Sequence, residues 1–214
     1  MAELSARDGK LVQYLNEAYG KEKELETALQ AHIGMTTRAP YKKRLRQHLK
    51  ETKRHARGLE KRVKQLGGTP QTVPIEGLDP LAKGAGAAVK IVGRAAAAAQ
   101  GPLHAIRGTG EQEKMLKNAK SEYADEHEEI ATYIAIETLA ETLGDTATAK
   151  LARAIRREEQ SMASFLERQI PVLTKAVVQA EIPPAQRPKA TTKARPKRAA
   201  ANKAKAKRTP PAKR

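Results

Sequence analysis

The sequence predicts an all-α protein, a four-helix bundle with one long connection between its second and third helices. Three observations support this prediction. Apolar residues recur at spacings of three and four in four long segments, as on one face of a helix. Aromatic residues make up only 3% of the 214 residues, and a core of Leu, Ile, Val and Ala is typical of packed helices. The segment from about residue 67 to 110 is rich in Pro, Gly and Ala and suits a long crossover.

The first two helices have clear end signals. The first is predicted from about residue 5 to 35, and Glu22 is the acidic member of its apolar stripe. Pro40 suits the first turn of the second helix, because proline needs no hydrogen-bond acceptor there. The second helix is expected to stop at the glycine pair 67–68.

The third and fourth helices are bounded in the same way. Thr109 and Gln112 are spaced as a capping box that opens the third helix, and Gly144 ends it. Asp145 is expected to cap the fourth helix. Pro171 is expected to kink that helix, since it removes a backbone hydrogen bond, and the helix then continues to about residue 180.

Composition narrows the classes of function. The absence of cysteine excludes disulfides and thiolate metal sites. The Ala-rich part of the crossover suggests one or two short helices lying against the bundle. A membrane-spanning segment is a weak interpretation, because Lys83, Lys90 and Arg94 interrupt the apolar residues there. The first ten residues lack the apolar run of a signal peptide, so we expect a cytoplasmic protein without membrane contact.

Each of the four helices places an acid near mid-length on or beside its apolar stripe. An inward carboxylate is costly unless it meets a cation, a proton or a metal. His55 follows Glu51 by four residues, so both side chains can reach one point from one helix face. A carboxylate-rich interior with imidazole suits iron or manganese, as in bundle proteins with two-metal centres. The candidate metal ligands are Glu22, Glu51, His55, Glu126, Glu129 and Glu159.

Other interpretations of these side chains stay open. Single acids on helices are usually surface charges. A vestigial centre without metal is the main alternative, in which the acids share protons or pair with Arg57, Arg153 or Arg156. His32 and His48 are expected to be satisfied core or interface histidines and not ligands.

Several strings resemble the YciF-type branch of the ferritin-like superfamily, over roughly residues 8–175. They are YLNEAYGKEKELETAL, RQHLKETKRHARGLEKRVKQLGG, EHEEIATYIAIETLAETLGD and AKLARAIRREEQ. The resemblance implies a ferritin-like bundle, commonly dimeric, with a carboxylate-rich centre and no firmly assigned activity. Many members carry Gln where this chain has His55, and an acid where it has Ala163. By position, the family's inward acids fall on Glu22, Glu51, Glu126, Glu129 and Glu159.

The charge is concentrated at the C-terminal end. Of the net charge of +17, residues 187–214 supply 12 Lys and Arg and no acid, which leaves +5 for the rest. From Pro183 onward the chain lacks core-forming side chains, and residues 181–214 are expected to form a disordered tail. This tail resembles the Lys-, Ala- and Pro-rich tails of linker histones and of some bacterial nucleoid proteins.

Dispersed cations of this kind neutralise DNA phosphates without reading base edges. A solubilising tail or attraction to acidic membranes is the alternative. We expect the tail, and not the bundle, to bind nucleic acid, since the helices mix charges of both signs. The predicted nucleic-acid contacts are Lys189, Lys193, Arg195, Lys197, Arg198, Lys203, Lys205, Lys207, Arg208, Lys213 and Arg214.

Two functional hypotheses follow. In the first, residues 1–180 form a bundle that binds a di-metal centre of iron or manganese, consumes peroxide or oxygen in stress or redox protection, and is tethered to DNA by the tail. In the second, the chain is a non-enzymatic nucleoid-associated or stress protein, whose bundle is a dimerising scaffold with a vestigial site and no metal. Both hypotheses predict a homodimer in the bacterial cytoplasm.

Overall fold

The computed structural model describes residues 4–72 and 110–188, and most of these residues form four long helices. The helices are α1 (Ala6–Met35), α2 (Ala39–Gln65), α3 (Glu111–Thr142) and α4 (Thr146–Glu181), followed by a 3-10 turn at Pro184–Gln186. No strand occurs in the two described ranges, and the predicted all-α class is confirmed.

The connections have the predicted lengths. Residues 36–38 join α1 to α2, and residues 143–145 join α3 to α4, whereas residues 66–110 separate α2 from α3. The short helices predicted in that long connection lie outside the described residues. Arg7 reaches the carbonyl of Leu143 and His32 reaches Glu122, so α1 and α3 are antiparallel. Because α1 is also antiparallel to α2, the helices α2 and α3 run parallel.

The helices pack as a square bundle. Both α1 and α4 pack against α2 and α3, so α2 and α3 lie diagonally opposite each other. This arrangement places the inner faces of all four helices around one axis. None of the described helices is long and apolar enough to cross a membrane.

The helix ends follow local sequence signals. The N–H of Asp8 donates to Ser5 Oγ at the start of α1, and Gly67 takes a φ of +82° after α2. Asp145 caps α4 by accepting from the N–H of Thr148 at 3.0 Å, as predicted. The N-cap of α3 is Gly110, one residue later than predicted. The predicted kink does not divide α4, which continues through Pro171 as one helix.

The buried apolar residues form two main clusters, one toward each end of the bundle. In every helix the acids at mid-length lie between the residues of one cluster and those of the other. A buried polar layer therefore divides the core. The first cluster includes Leu15, Leu59, Tyr133 and Ile155, and the second includes Leu29, Leu45, Met115 and Leu166.

Candidate metal centre

The polar layer brings together side chains from all four helices. Glu22 of α1 and Glu159 of α4 are fully buried, and Glu126 and Glu129 of α3 are at most 2% exposed. The helix α2 contributes two buried imidazoles, His48 and His55. The sequence predicted five of these six residues as ligands and assigned the sixth, His48, to the core or an interface.

Two groups of three donors can be recognised in the layer. In the first, His55 Nδ1 lies 3.3 Å from Glu22 Oε1 and 2.9 Å from Glu159 Oε1. In the second, His48 Nε2 lies 2.9 Å from Glu126 Oε1 and 3.7 Å from Glu159 Oε2. Within each group the donor atoms lie within 4.8 Å of one another. Glu159 offers one oxygen to each group and can therefore bridge two metal ions.

Several donor atoms of the layer have no partner in the described part of the chain. His48 Nε2 and His55 Nδ1 each face a carboxylate oxygen at 2.9 Å, on Glu126 and Glu159 respectively. Four other buried carboxylate oxygens form neither a hydrogen bond nor an ion pair with any described residue: Glu22 Oε2, Glu126 Oε2 and both oxygens of Glu129. Such atoms are costly to bury, and a bound cation would satisfy them.

The other nitrogen of each imidazole contacts a carboxylate outside the two groups. His55 Nε2 lies 2.7 Å from Glu158 Oε2, and His48 Nδ1 lies 3.3 Å from Glu51 Oε2. An outer carboxylate of this kind fixes the tautomer and the orientation of a metal-binding imidazole. The inner nitrogen, which faces the carboxylates of the layer, is then the one that would bind a metal ion.

The electrostatics of the layer favour a cation. Burial and the charges of Glu22, Glu159 and Glu126 raise the pKa of the Glu129 carboxyl well above its ordinary value. Burial alone would lower the pKa of His48, but the Glu126 carboxylate outweighs it and raises that pKa to about 10. The layer therefore holds more acid than its two imidazoles can balance.

The comparison with known families agrees with this architecture. Residues 7–179 match the family described as "Domain of unknown function (DUF892)". The chain belongs to the DUF892 family. The structure of a protein from Xanthomonas campestris is 24% identical, with a TM-score of 0.62, over 83% of this chain and 99% of that chain.

Two other solved structures share the fold of this DUF892 chain. The stress protein YciF of Escherichia coli is 20% identical, with a TM-score of 0.55, over 80% of this chain and 99% of that chain. Ferritin-like, diiron-carboxylate proteins from Bacillus anthracis give 19% identity and a TM-score of 0.55, over 78% of this chain and 99% of theirs. These likenesses confirm the resemblance to the YciF-type branch and the ferritin-like bundle.

The DUF892 chain departs from the common two-metal ligand scheme, in which two helices carry a Glu-x-x-His pair. Thr52 stands three residues before His55, and Met162 stands three residues after Glu159. His48 and Glu129 supply the additional buried donors. The donor set is thus four carboxylates and two imidazoles in a different distribution over the helices.

Glu51 does not join the inward donors. Its side chain is 13% exposed and accepts from Arg44 Nη1 at 2.8 Å. The residue that turns inward at this level of α2 is His48, which is fully buried. The available signal was the spacing of seven between His48 and His55, which places both on one helix face.

The predicted arginine partners of the acids lie elsewhere. Arg153 and Arg156 both bind Glu137, and Arg57 is exposed. Within the described residues, no Arg or Lys lies within 4 Å of a carboxylate oxygen of Glu22, Glu126, Glu129 or Glu159. A centre neutralised by arginine is therefore not what the structure contains.

Another buried carboxylate, Glu122, lies one turn before Glu126 and was not among the predicted residues. Glu122 accepts from the Tyr41 hydroxyl at 2.6 Å and lies 2.6 Å from His32 Nδ1. Its partners come from α1 and α2, so the sequence of α3 alone did not reveal this cluster. The predicted nucleic-acid contacts from Lys189 to Arg214 lie outside the described residues.

Proposed function

We propose that the bundle binds two divalent metal ions, iron or manganese, in the buried polar layer. The observation that supports this best is the pair of three-donor groups that share Glu159, beside buried carboxylate oxygens of Glu22, Glu126 and Glu129 that have no partner among the described residues. Buried polar atoms without partners are rare in native proteins and call for an explanation such as a bound ion.

Charge balance supports the number of ions. Metal binding needs deprotonated carboxylates and neutral imidazoles. The four carboxylates of Glu22, Glu126, Glu129 and Glu159 then carry −4, which two divalent cations neutralise. Oxygen and imidazole donors without thiolates suit manganese and iron and do not select soft ions.

Each residue of the chain has a distinct task in this proposal. Glu159 spans the two ions, and His48 and His55 each bind one ion while Glu51 and Glu158 hold their outer nitrogens. The Tyr133 hydroxyl donates to Glu22 Oε1 at 2.5 Å and orients that carboxylate. The apolar clusters on both sides exclude water from the layer. Two bound iron or manganese ions would supply the electron transfer that peroxide or oxygen consumption requires.

The comparisons support the wider role. One structural relative is described as a stress protein and others as diiron-carboxylate proteins, both for their own chains. We place this protein in stress or redox protection on that basis. The alternative is a non-enzymatic nucleoid-associated protein with a vestigial centre, and metal content separates the two.

The test is anaerobic titration of the metal-free full-length protein with Mn²⁺ or Fe²⁺, followed by elemental analysis. We expect about two ions per chain, one for each donor group. The double variant Glu126→Ala, Glu129→Ala should bind at most one ion weakly. Glu122→Gln is the matched control, because it changes a buried acid of the same helix outside the donor groups. Fewer than one ion in the unaltered protein would overturn the proposal.

The tail is proposed as the main DNA contact, through the 12 cations of residues 187–214. Binding should be independent of sequence and should weaken steeply with salt. Deletion of residues 184–214 should abolish most retention of duplex DNA at about 0.1 M salt, where the Debye length is roughly 10 Å. Metal content and helix content should not change. Undiminished DNA retention by the truncated protein would exclude the tail as the main contact.

A further inference from the structure

The helix α2 differs from the other helices in its charge. It carries 11 Lys and Arg and two Glu, a formal charge of +9. Residues 1–186 together carry +5, so the part of that range outside α2 carries −4. The helix α2 mixes both signs, as expected of every helix, but it has a large excess of cations that was hidden in the average for the bundle.

The exposed cations of α2 form a line. Each is three or four residues from the next, which places them all within an arc of about 80° on a helix of 3.6 residues per turn. At 1.5 Å per residue the line is about 32 Å long. We call it the basic stripe, and its members are Lys43, Arg46, Lys50, Arg54, Arg57, Lys61 and Lys64.

Most of the basic stripe is not neutralised. Arg54 pairs with Glu158 and Lys64 pairs with Glu60. The other five members form no ion pair with any described residue. They are Lys43, Arg46, Lys50, Arg57 and Lys61, and all five are exposed.

The helix diagonally opposite α2 has no such excess of cations. The helix α3 carries three Lys and nine acids, of which Glu113, Glu122, Glu126 and Glu129 are buried in the core. A polyanion would therefore be attracted more strongly to the α2 side than to the α3 side. This difference gives the bundle a preferred orientation.

We infer that the basic stripe of α2 binds the phosphate backbone of duplex DNA and orients the bundle with α3 facing away. A row of seven cations at intervals of about 5 Å, five of them unpaired, matches a repeating phosphate polyanion, which it can bind without base readout. The one aromatic residue of α2, Tyr41, is fully buried, so the stripe offers no platform for stacking single-stranded bases.

Two other partners fit this surface less well. A membrane-bound helix needs large apolar residues on its exposed face, and the exposed large hydrophobic residues of the described chain all lie outside α2. A second copy meeting α2 against α2 would bring like charges together. The inference does not depend on the metal centre, and it adds an oriented contact to the proposed tail tether.

The experiment compares two variants of the full-length protein that each lose five exposed positive charges. The stripe variant replaces the unpaired members of α2 with glutamine: Lys43→Gln, Arg46→Gln, Lys50→Gln, Arg57→Gln and Lys61→Gln. The control variant makes the same replacement on α3 and α4: Lys114→Gln, Lys120→Gln, Lys150→Gln, Arg157→Gln and Arg168→Gln. Both are measured for affinity to a duplex of random sequence over a range of NaCl concentrations.

The slope of log affinity against log salt is negative, and the stripe variant should make it shallower by about 3–4.5, since each lost phosphate contact contributes about 0.9. The control variant should make it shallower by less than about 1. A variant with Lys43→Arg, Lys50→Arg and Lys61→Arg should bind DNA like the unaltered protein, because it preserves the charges. Equal losses for the stripe and control variants would overturn the inference.

Two further measurements separate this inference from the proposals above. The stripe replacement is repeated in a full-length chain whose 11 predicted tail contacts are changed to Gln, and it should reduce the remaining DNA affinity there as well.

Binding to vesicles that contain phosphatidylserine is measured in parallel. If the stripe variant loses vesicle binding but keeps its DNA affinity, the surface serves a membrane and the inference is wrong. Metal content should be the same in all variants.

Discussion

Glu122 and Glu126 lie one helical turn apart on the buried face of α3, but their surroundings differ. Glu122 has a hydrogen-bond partner on each oxygen, the Tyr41 hydroxyl and the His32 imidazole. Glu126 Oε2 and both oxygens of Glu129 have none. Burial of an acid is thus not in itself a sign of function. The feature that distinguishes the centre is the convergence of four carboxylates on two imidazoles, which leaves several buried carboxylate oxygens without a partner among the described residues.

The largest expected effect comes from the residue that spans both donor groups. Glu159→Ala should abolish binding of both ions, a loss of more than about 100-fold, because it removes one oxygen from each group. Glu122→Gln should leave the affinity unchanged, since that carboxylate already has its partners within the protein. Calorimetric titration with Mn²⁺ measures both. A Glu159→Ala protein that still binds two ions would show that the donor groups around Glu159 are not the metal site.

The next largest effect is expected at Glu51, whose carboxylate contacts the outer nitrogen of His48. Glu51→Gln should weaken metal binding by about 10–100-fold, because Glu51 holds the outer nitrogen of His48 in place. Glu60→Gln is the control, an acid of α2 that is paired on the surface with Lys64. If the two variants bind Mn²⁺ equally well, Glu51 has no positioning role.

The fold could be predicted almost entirely from the spacing of apolar residues. In α2, Tyr41, Leu45, Leu59 and Val63 lie at helical spacing in the sequence, and all four are buried. Proline and glycine marked the ends of that helix because both act through the backbone of their own turn. Such local signals need no knowledge of the other helices.

The centre could be predicted only in outline. Helical spacing placed acids at mid-length, and the structure brings most of them together. The choice between Glu51 and His48 depended on the register of α2, because His48 lies seven residues from His55 on the inner face, whereas Arg44 draws Glu51 outward. Glu122 was missed because its partners, Tyr41 and His32, lie far away in the sequence.

In the metal-free protein, substitutions in the donor layer and in the Glu122 cluster should change the free energy of unfolding in opposite directions. Glu129→Gln should raise the free energy of unfolding by about 1–2 kcal/mol, because burial and the neighbouring carboxylates disfavour the ionised carboxyl, so that folding at pH 7 has to bury a charge or take up a proton. Tyr41→Phe should lower it by about 1–2 kcal/mol, because it leaves a buried oxygen of Glu122 without a partner. Urea unfolding at pH 7 measures both. If both substitutions change the free energy of unfolding in the same direction, Glu129 and Glu122 do not differ in the way described.

The smallest expected effect concerns Asp145, a satisfied buried carboxylate far from the centre. Burial alone would raise its pKa, but the N–H and hydroxyl of Thr148 and the Arg62 guanidinium outweigh burial and hold the pKa below its ordinary value of 3.8. A carboxyl whose pKa is lowered on folding stabilises the protein above its unfolded pKa, and this contribution is lost as the pH falls through the folded value. Asp145→Ala should therefore cost about 1 kcal/mol at pH 7 and pH 5, with a smaller difference at pH 3. Parallel urea titrations of the two proteins at these three pH values measure the difference, and a cost that stays constant down to pH 3 would show that the ionised carboxylate does not cap α4.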